Sequence, residues 1–279
     1  MEDGRIERYR AAMTNLSSPS AGIGDLLREW RQRRRLSQLD LAGEVEISTR
    51  HLSFVETGRA APSRGVLIRL TERLDVPLRT RNQMLHAAGF AALYPERPLT
   101  APDMDVARRT VHTILEAHAP FPALAVDRHW TLVASNAAVM SLLVGVDAIL
   151  LAPPVNVLRL SLHPAGLAPR IDNLGEWRAH LLHRLQQQID RSGDPVLAAL
   201  LEELSRYPSR ASAGPSNDLA GIAVPLRLRS PAMAPPLSMI STTTVFGSPV
   251  DVTLSELALE CFYPANEATR AALLASASQ

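Results

Sequence analysis

The chain holds 279 residues, 46% hydrophobic and 20% charged, with a formal net charge of +1, which describes one or two globular domains without a global basic signature. All 29 basic side chains are arginine, so a Ser–Lys self-cleaving site, a Schiff base and a Walker-type phosphate loop are excluded. Cys261 is the single cysteine, which rules out an intramolecular disulfide and a multi-cysteine metal site, suits a reducing cytoplasm, and reads as a small buried hydrophobe before a redox sensor.

Residues 1–21 are polar, end in NLSSPSAG, and read as a flexible arm in which Met13 offers an alternative start. Ile23, Leu26, Leu27 and Trp30 follow the spacing of an amphipathic helix. Its outer end, Arg31 with Arg33 to Arg35, is either a solvated face or a phosphate contact. From Leu36 to Pro62 the sequence predicts two short helices joined by a tight turn, with Leu39, Leu41 and Ala42 on the first apolar face and Leu52 and Val55 on the second. Ser37 is an N-cap with Asp40 in the first turn, Ser48 caps the second helix, and Gly58 follows its end, where a left-handed residue is needed. Helices this short must pack on neighbours to persist. The start of the second exposes Thr49, Arg50, His51 and Ser53, all hydrogen-bonding types, which is the layout of a helix-turn-helix presenting a recognition helix. Between Gly22 and Ala92 twelve arginines face eight acids, a local surplus of +4 that leaves −3 for the rest, as suits a DNA-binding head on a neutral or acidic body. Arg64 to Leu74 and Arg79 to Ala88 predict a fourth and a fifth helix, and the Pro-bearing stretch Tyr94 to Pro102 marks a domain boundary.

On these residues the segment from Ile23 to Phe90 resembles the XRE/Cro-type helix-turn-helix domain of repressors. The match lies in Leu36 to Ala42, in Ile47 to Arg59, and in the following APS and LIRLTERLDV. Double-stranded operator DNA is the expected partner, read by a homodimer on a two-fold-symmetric site. The expected DNA-contacting residues are Gln38, Ser48, Thr49, Arg50 and Ser53, with Arg33, Arg34, Arg59 and Arg64 on phosphate. Glu56 resembles the family's internal acid that ties the recognition helix down.

Beyond the linker, Val106 to Ala119 predicts a helix and Phe121 to Asn136 two strands around an Asp-Arg turn. Ala137 to Leu143 resumes helical character, and Asn156 to Leu167 is ambiguous between strand and helix. Leu174, Trp177, Leu181, Leu182, Leu185 and Ile189 form a helical stripe, followed by a helix from Pro195 to Arg206 and a Ser/Pro/Gly loop from Tyr207 to Asn217. Ile222 to Ser230 alternates with period two, placing Arg227 and Arg229 toward solvent. Met239 to Gly247 and Leu254 to Pro264 continue as strands, and a last helix starts at Glu267. The most apolar run, Ala137 to Val155, contains Asp147 and ends in Pro153-Pro154, so no membrane span is expected. No signal-peptide pattern is present at the start, and a cytoplasmic location is expected.

AVDRHWTLVASNAAV, NVLRLSLHPAGLAPRIDNLGEWRAHLLHRL and TTVFGSPVDVTLSELALECFYPAN together resemble the MmyB-like ligand-binding domain of transcription regulators. That resemblance implies a PAS-like fold holding a fatty acid or a similar small apolar ligand in its core. Trp130, Asn136, Arg159, His163 and Trp177 are the candidate ligand-binding residues. Asn136 is otherwise an N-cap, while Arg159 and His163 serve either structure or a ligand head group. His180 and His183, three apart on a helix, lack a carboxylate or cysteine to complete a metal site. No nucleophile–base–acid set can be assembled, so no catalysis, cofactor or metal is expected.

The expected organisation is therefore multidomain: a flexible arm (1–21), an all-α five-helix head (22–92), a linker (93–104), and an α+β PAS-like domain with an antiparallel sheet (105–279). A C-terminal domain acting only as a dimerisation or protein-interaction module is the competing expectation.

Overall fold

The computed structural model describes residues 22–208, 224–231, 233–247 and 249–276. The expected N-terminal arm, most of the Tyr207–Asn217 loop, and Ile222 of the strand expected there lie outside these residues. The chain forms two compact units: the first takes the chain to Glu96 with Gln188–Pro195 and Val250–Val252, and the second takes the remainder.

In the first unit, α1 (Ile23–Arg33), α2 (Gln38–Glu44), α3 (Thr49–Glu56), α4 (Arg64–Arg73) and α5 (Leu78–Ala87) follow in order. Each short helix starts on a side-chain cap where the sequence supplies one. Ser37 and Asp40 form a reciprocal capping box, Ser48 accepts from the His51 N–H, and Ser63 accepts from that of Val66. Leu27, Trp30, Leu41, Leu52, Val55, Leu67 and Leu70 close the core. Burying a side chain of this size stabilises by about 1.5–3 kcal/mol, which is what holds helices too short to persist alone. Leu39, expected on the apolar face, is instead 70% exposed. A seven-residue helix turns one narrow stripe inward; Leu41 and Ala42 occupy it, and Leu39 lies about 200° around from Leu41. Gly24 lets α1 lie against the end of α3, since a Cβ there would come within 2.4 Å of the Val55 carbonyl oxygen. Gly58 ends α3 at φ +71°, as the C-cap requires.

The second unit opens with α6 (Asp105–Ala117), β1 (Ala123–Val126), β2 (Leu132–Ser135), α7 (Ala137–Leu142), α8 (Ala148–Leu151) and α9 (Val157–Leu162). It continues with α10 (Leu174–Ser192), α11 (Pro195–Ser205), β3 (Leu226–Ser230), β4 (Met233–Val245), α12 (Val252–Ser255), β5 (Ala258–Pro264) and α13 (Glu267–Ser276). All strand pairs are antiparallel, in the order β2-β1-β5-β4-β3, giving the PAS-like sheet. The ambiguous stretch after Asn156 is helical. The Asn156 side chain accepts from the Leu158 and Arg159 N–H groups and so starts α9. Leu254 and Leu257, both expected in a strand, precede β5: Leu254 lies in the helical turn and Leu257 in the link after it, and both pack with the α6 side of the sheet.

The sheet has two distinct faces. Ala123, Ala125, Leu259 and Cys261 meet Val111 and Leu115 of α6. Their neighbours, alternating outward, face the other way and form the floor of a cavity roofed by α7, α9 and α10.

Candidate DNA-binding and ligand-binding sites

In the first unit, the capped start of α3 carries Thr49, Arg50 and Ser53 on its accessible side, with Ser48 preceding them. Phe54, one turn on from Arg50, joins this face: the Arg50 guanidinium sits 5.3 Å from the Phe54 ring centre and that of Arg59 6.0 Å. Two cations thus share one aromatic anchor, which limits the motion of otherwise exposed side chains. Sequence reasoning missed Phe54; the Arg–Phe spacing of four on a helix was the available signal.

The expected phosphate contacts separate into two kinds. Arg59 and Arg64 are exposed. Arg33 pairs with Glu29 one turn back and lies against Trp30. Arg34 donates to the carbonyls of Leu74 (2.7 Å) and Asp75 (2.8 Å), where α4 ends, so it braces the fold. Gln38 donates at 2.8 Å to Glu56, joining the buried acid to the start of α2. Glu56 also receives both prongs of Arg31. Burial most strongly opposes its ionisation, but the hydrogen bonds from Arg31 and Gln38 and the charges of Arg31 and Arg28 prevail, so its carboxyl lies below the usual range.

In the second unit, the cavity encloses about 830 Å³, its open mouth included. Leu124, Leu226, Leu228, Met239 and Phe262 form the floor, and Leu142, Leu158, Leu160 and Leu181 the roof. Trp130 and Trp177, both sequence candidates, line it. Trp130 is placed by its turn: Asp127 Oδ1 accepts from the His129 and Thr131 N–H groups, and Trp130 adopts φ +65°. That left-handed conformation is costly for a large side chain and persists because the turn holds it. Trp177 donates its indole N–H to Ser161 at 2.9 Å.

The remaining three candidates do not line the cavity. Asn136 is buried, accepts from the Ala123 N–H and donates to the carbonyls of Leu115 and Phe121; no side-chain cap bond forms at α7. Arg159 holds Glu203 with two bonds of 2.7 Å, and Tyr207 donates to the same carboxylate. Burial first, then the bond to Glu203, pushes the Tyr207 phenol up to about 12. His163 packs edge-on against the Tyr207 ring. The polar groups the cavity does expose were not among the candidates: Ser161, Arg184, Ser241 and Glu260. Arg184 and Glu260 are 76 residues apart, so no local signal joins them.

His180 stacks on Trp177; burial, and then the nearby charge of Arg184, hold it below the usual histidine range. Among the described residues no group of three His, Cys, Asp or Glu could hold a metal ion. Burial pushes the Cys261 thiol up, which disfavours the reactive thiolate. Arg227 is half-buried, while exposed Arg229 pairs with Asp172 at 2.9 Å.

A capped recognition helix in one unit and a PAS-like sheet over an apolar cavity in the other define a transcription regulator with a ligand-binding domain. The chain belongs to the family described as MmyB-like transcription regulator ligand binding domain, whose sequence profile matches residues 107–275; a helix-turn-helix domain profile matches residues 23–84. It is also 38% identical over 116 residues to a protein of Methanoculleus marisnigri (strain ATCC 35101 / DSM 1498 / JR1) that carries the name of an HTH-type transcriptional regulatory protein. That match covers 40% of this chain and only 37% of the relative. Among the described residues no helix is long and apolar enough to cross a membrane.

Proposed function

We propose that this regulator acts inside the cell as a homodimer, with residues 22–92 binding a two-fold-symmetric operator and 105–279 sensing a small apolar ligand across a linker at 93–104. The observation that carries the sensor reading is the cavity, whose lining is apolar apart from four residues. A sugar or nucleotide would leave most of its polar groups unpaired there, at 1–3 kcal/mol each by rough measure. An acyl chain, as in a fatty acid or a similar molecule, gains roughly 0.8 kcal/mol of transfer free energy per buried CH₂. Thr49, Arg50 and Ser53 enter the major groove with α3, while Arg59 and Arg64 meet phosphate.

A ligand regulates only through unequal affinity for two states of the dimer, so occupancy and operator affinity must change together. The test combines mass spectrometry of an organic extract of the native protein with melting and operator binding of stripped protein across an acyl chain-length series. A rise in melting temperature with a concurrent shift in DNA affinity is expected. An extract without lipid and a flat melting series would leave the C-terminal domain as a dimerisation or interaction module.

A further inference from the structure

The charges inside the cavity specify the ligand's head group, given the proposed acyl site. Among the described residues Arg184, on the roof helix α10, is the sole basic one of the lining, and it is already neutralised by Glu260 on β5. One Arg184 nitrogen lies 2.7 Å from Glu260 Oε1 and the other 3.4 Å from Oε2. Thr243 completes the cluster, accepting from Arg184 at 2.6 Å and donating to Glu260 at 2.7 Å. The guanidinium also sits 5.1 Å from the Trp130 ring centre. The Glu260 side chain is 5% exposed and that of Arg184 22%, so the carboxylate is shielded from water, while Thr243 at the edge of the cluster is exposed.

A carboxylate head entering beside this pair meets a site whose positive charge is spent. To bind it, Arg184 would have to release Glu260, stranding a buried carboxylate, or two carboxylates would sit together in a low-dielectric pocket. An uncharged head faces neither obstacle. A hydroxyl can donate to a free lone pair of Glu260, and a carbonyl can accept from the Arg184 N–H groups not directed at Glu260 or Thr243. Ser241, half-buried in the same wall, offers a further neutral partner.

We propose that the cavity selects an uncharged acyl-type molecule bearing one hydroxyl or carbonyl group over the ionised acid of equal chain length, with Glu260 as the residue that excludes the acid. The test uses stripped full-length protein, titrated calorimetrically at about pH 8 with dodecanol, methyl dodecanoate and dodecanoate below their aggregation limits. The neutral probes should bind at least about ten-fold more tightly than dodecanoate. In Glu260→Gln, which keeps an acceptor for Arg184 but frees its charge, dodecanoate should gain about ten-fold or more relative to dodecanol. Dodecanoate binding as tightly as the neutral probes would overturn the proposal while leaving the acyl site intact, and this ranking needs no variant to fold. A folded Glu260→Gln with an unchanged order would also overturn it. Binding by none of the three would remove the acyl reading itself.

Discussion

Arg31 and Glu56 meet face to face across 25 residues, Nε to Oε1 at 2.7 Å and Nη2 to Oε2 at 2.8 Å. The pair ties the last turn of α1 to the last residue of the recognition helix, and the Glu56 side chain is wholly buried. Arg31→Ala strands that carboxylate with weaker partners, which costs about 3–5 kcal/mol. Urea unfolding should show this loss together with loss of operator binding; a change under about 1 kcal/mol would contradict the pairing.

The lowered pKa of Glu56 gives the head a defined response to acid. A depressed folded-state value contributes stability that is fully present above the ordinary 4.5 and lost as pH falls through the lowered value. Wild type should therefore be more stable than Glu56→Gln near neutrality, with the gap closing as pH falls below 4.5. A gap that stays constant over this range would contradict the assignment.

Arg50 and Arg34 should separate reading from bracing. Arg50→Ala should weaken binding at the true operator by about 1–3 kcal/mol and change binding to random DNA little. Arg34→Ala should instead lower unfolding stability by about 2 kcal/mol, since a charged donor leaves two carbonyls. Equal losses from Arg50→Ala on both DNAs would make it a phosphate contact.

Salt dependence counts the phosphate contacts independently. With all four expected arginines on phosphate in each protomer, the slope of log K against log salt would be about −7. With Arg33 held by Glu29 and Arg34 by the end of α4, four charges remain in a dimer and the slope should be about −4. Arg64→Ala should flatten it by about 2 in a dimer.

Asn136 should behave as a structural keystone. Its amide serves three backbone groups; Asn136→Ala strips the Ala123 N–H and the Phe121 carbonyl of their side-chain partner, while the Leu115 carbonyl keeps the His118 N–H, and should cost at least about 2 kcal/mol. Asn136→Asp, which sets a buried carboxylate against the Leu115 and Phe121 carbonyl oxygens, should melt no higher than alanine. A tolerant Asn136→Ala would contradict this role.

The helical head was legible because its signals are local. Ser37, Ser48 and Gly58 mark helix ends within a few residues, and the spacing of Leu27, Trp30, Leu41, Leu52 and Val55 marks the buried stripe. α9 resisted because Leu158, Leu160 and Leu162 alternate as a strand would, yet all three are buried, which erases the periodic contrast. The arginine of the cavity wall was missed for a related reason. Arg159 and Arg184 look alike in sequence, and only the fold gives one Glu203 on α11 and the other a place in the cavity wall. Phe54 escapes a reading by hydrogen-bonding type because what it offers is an aromatic face.

β5 is the last strand in chain order yet the middle one in space, pairing Ala123 of β1 with Cys261 on one side and β4 on the other. Until it arrives, the β1–β2 hairpin and the β3–β4 hairpin are separate edges with unpaired backbone, and Leu124, Leu226 and Met239 share no common floor. Closing so long a loop is entropically slow. The chain must therefore complete its sheet before it can respond to anything, so a newly made copy passes through an interval in which the head can already fold from local contacts while the pocket does not yet exist.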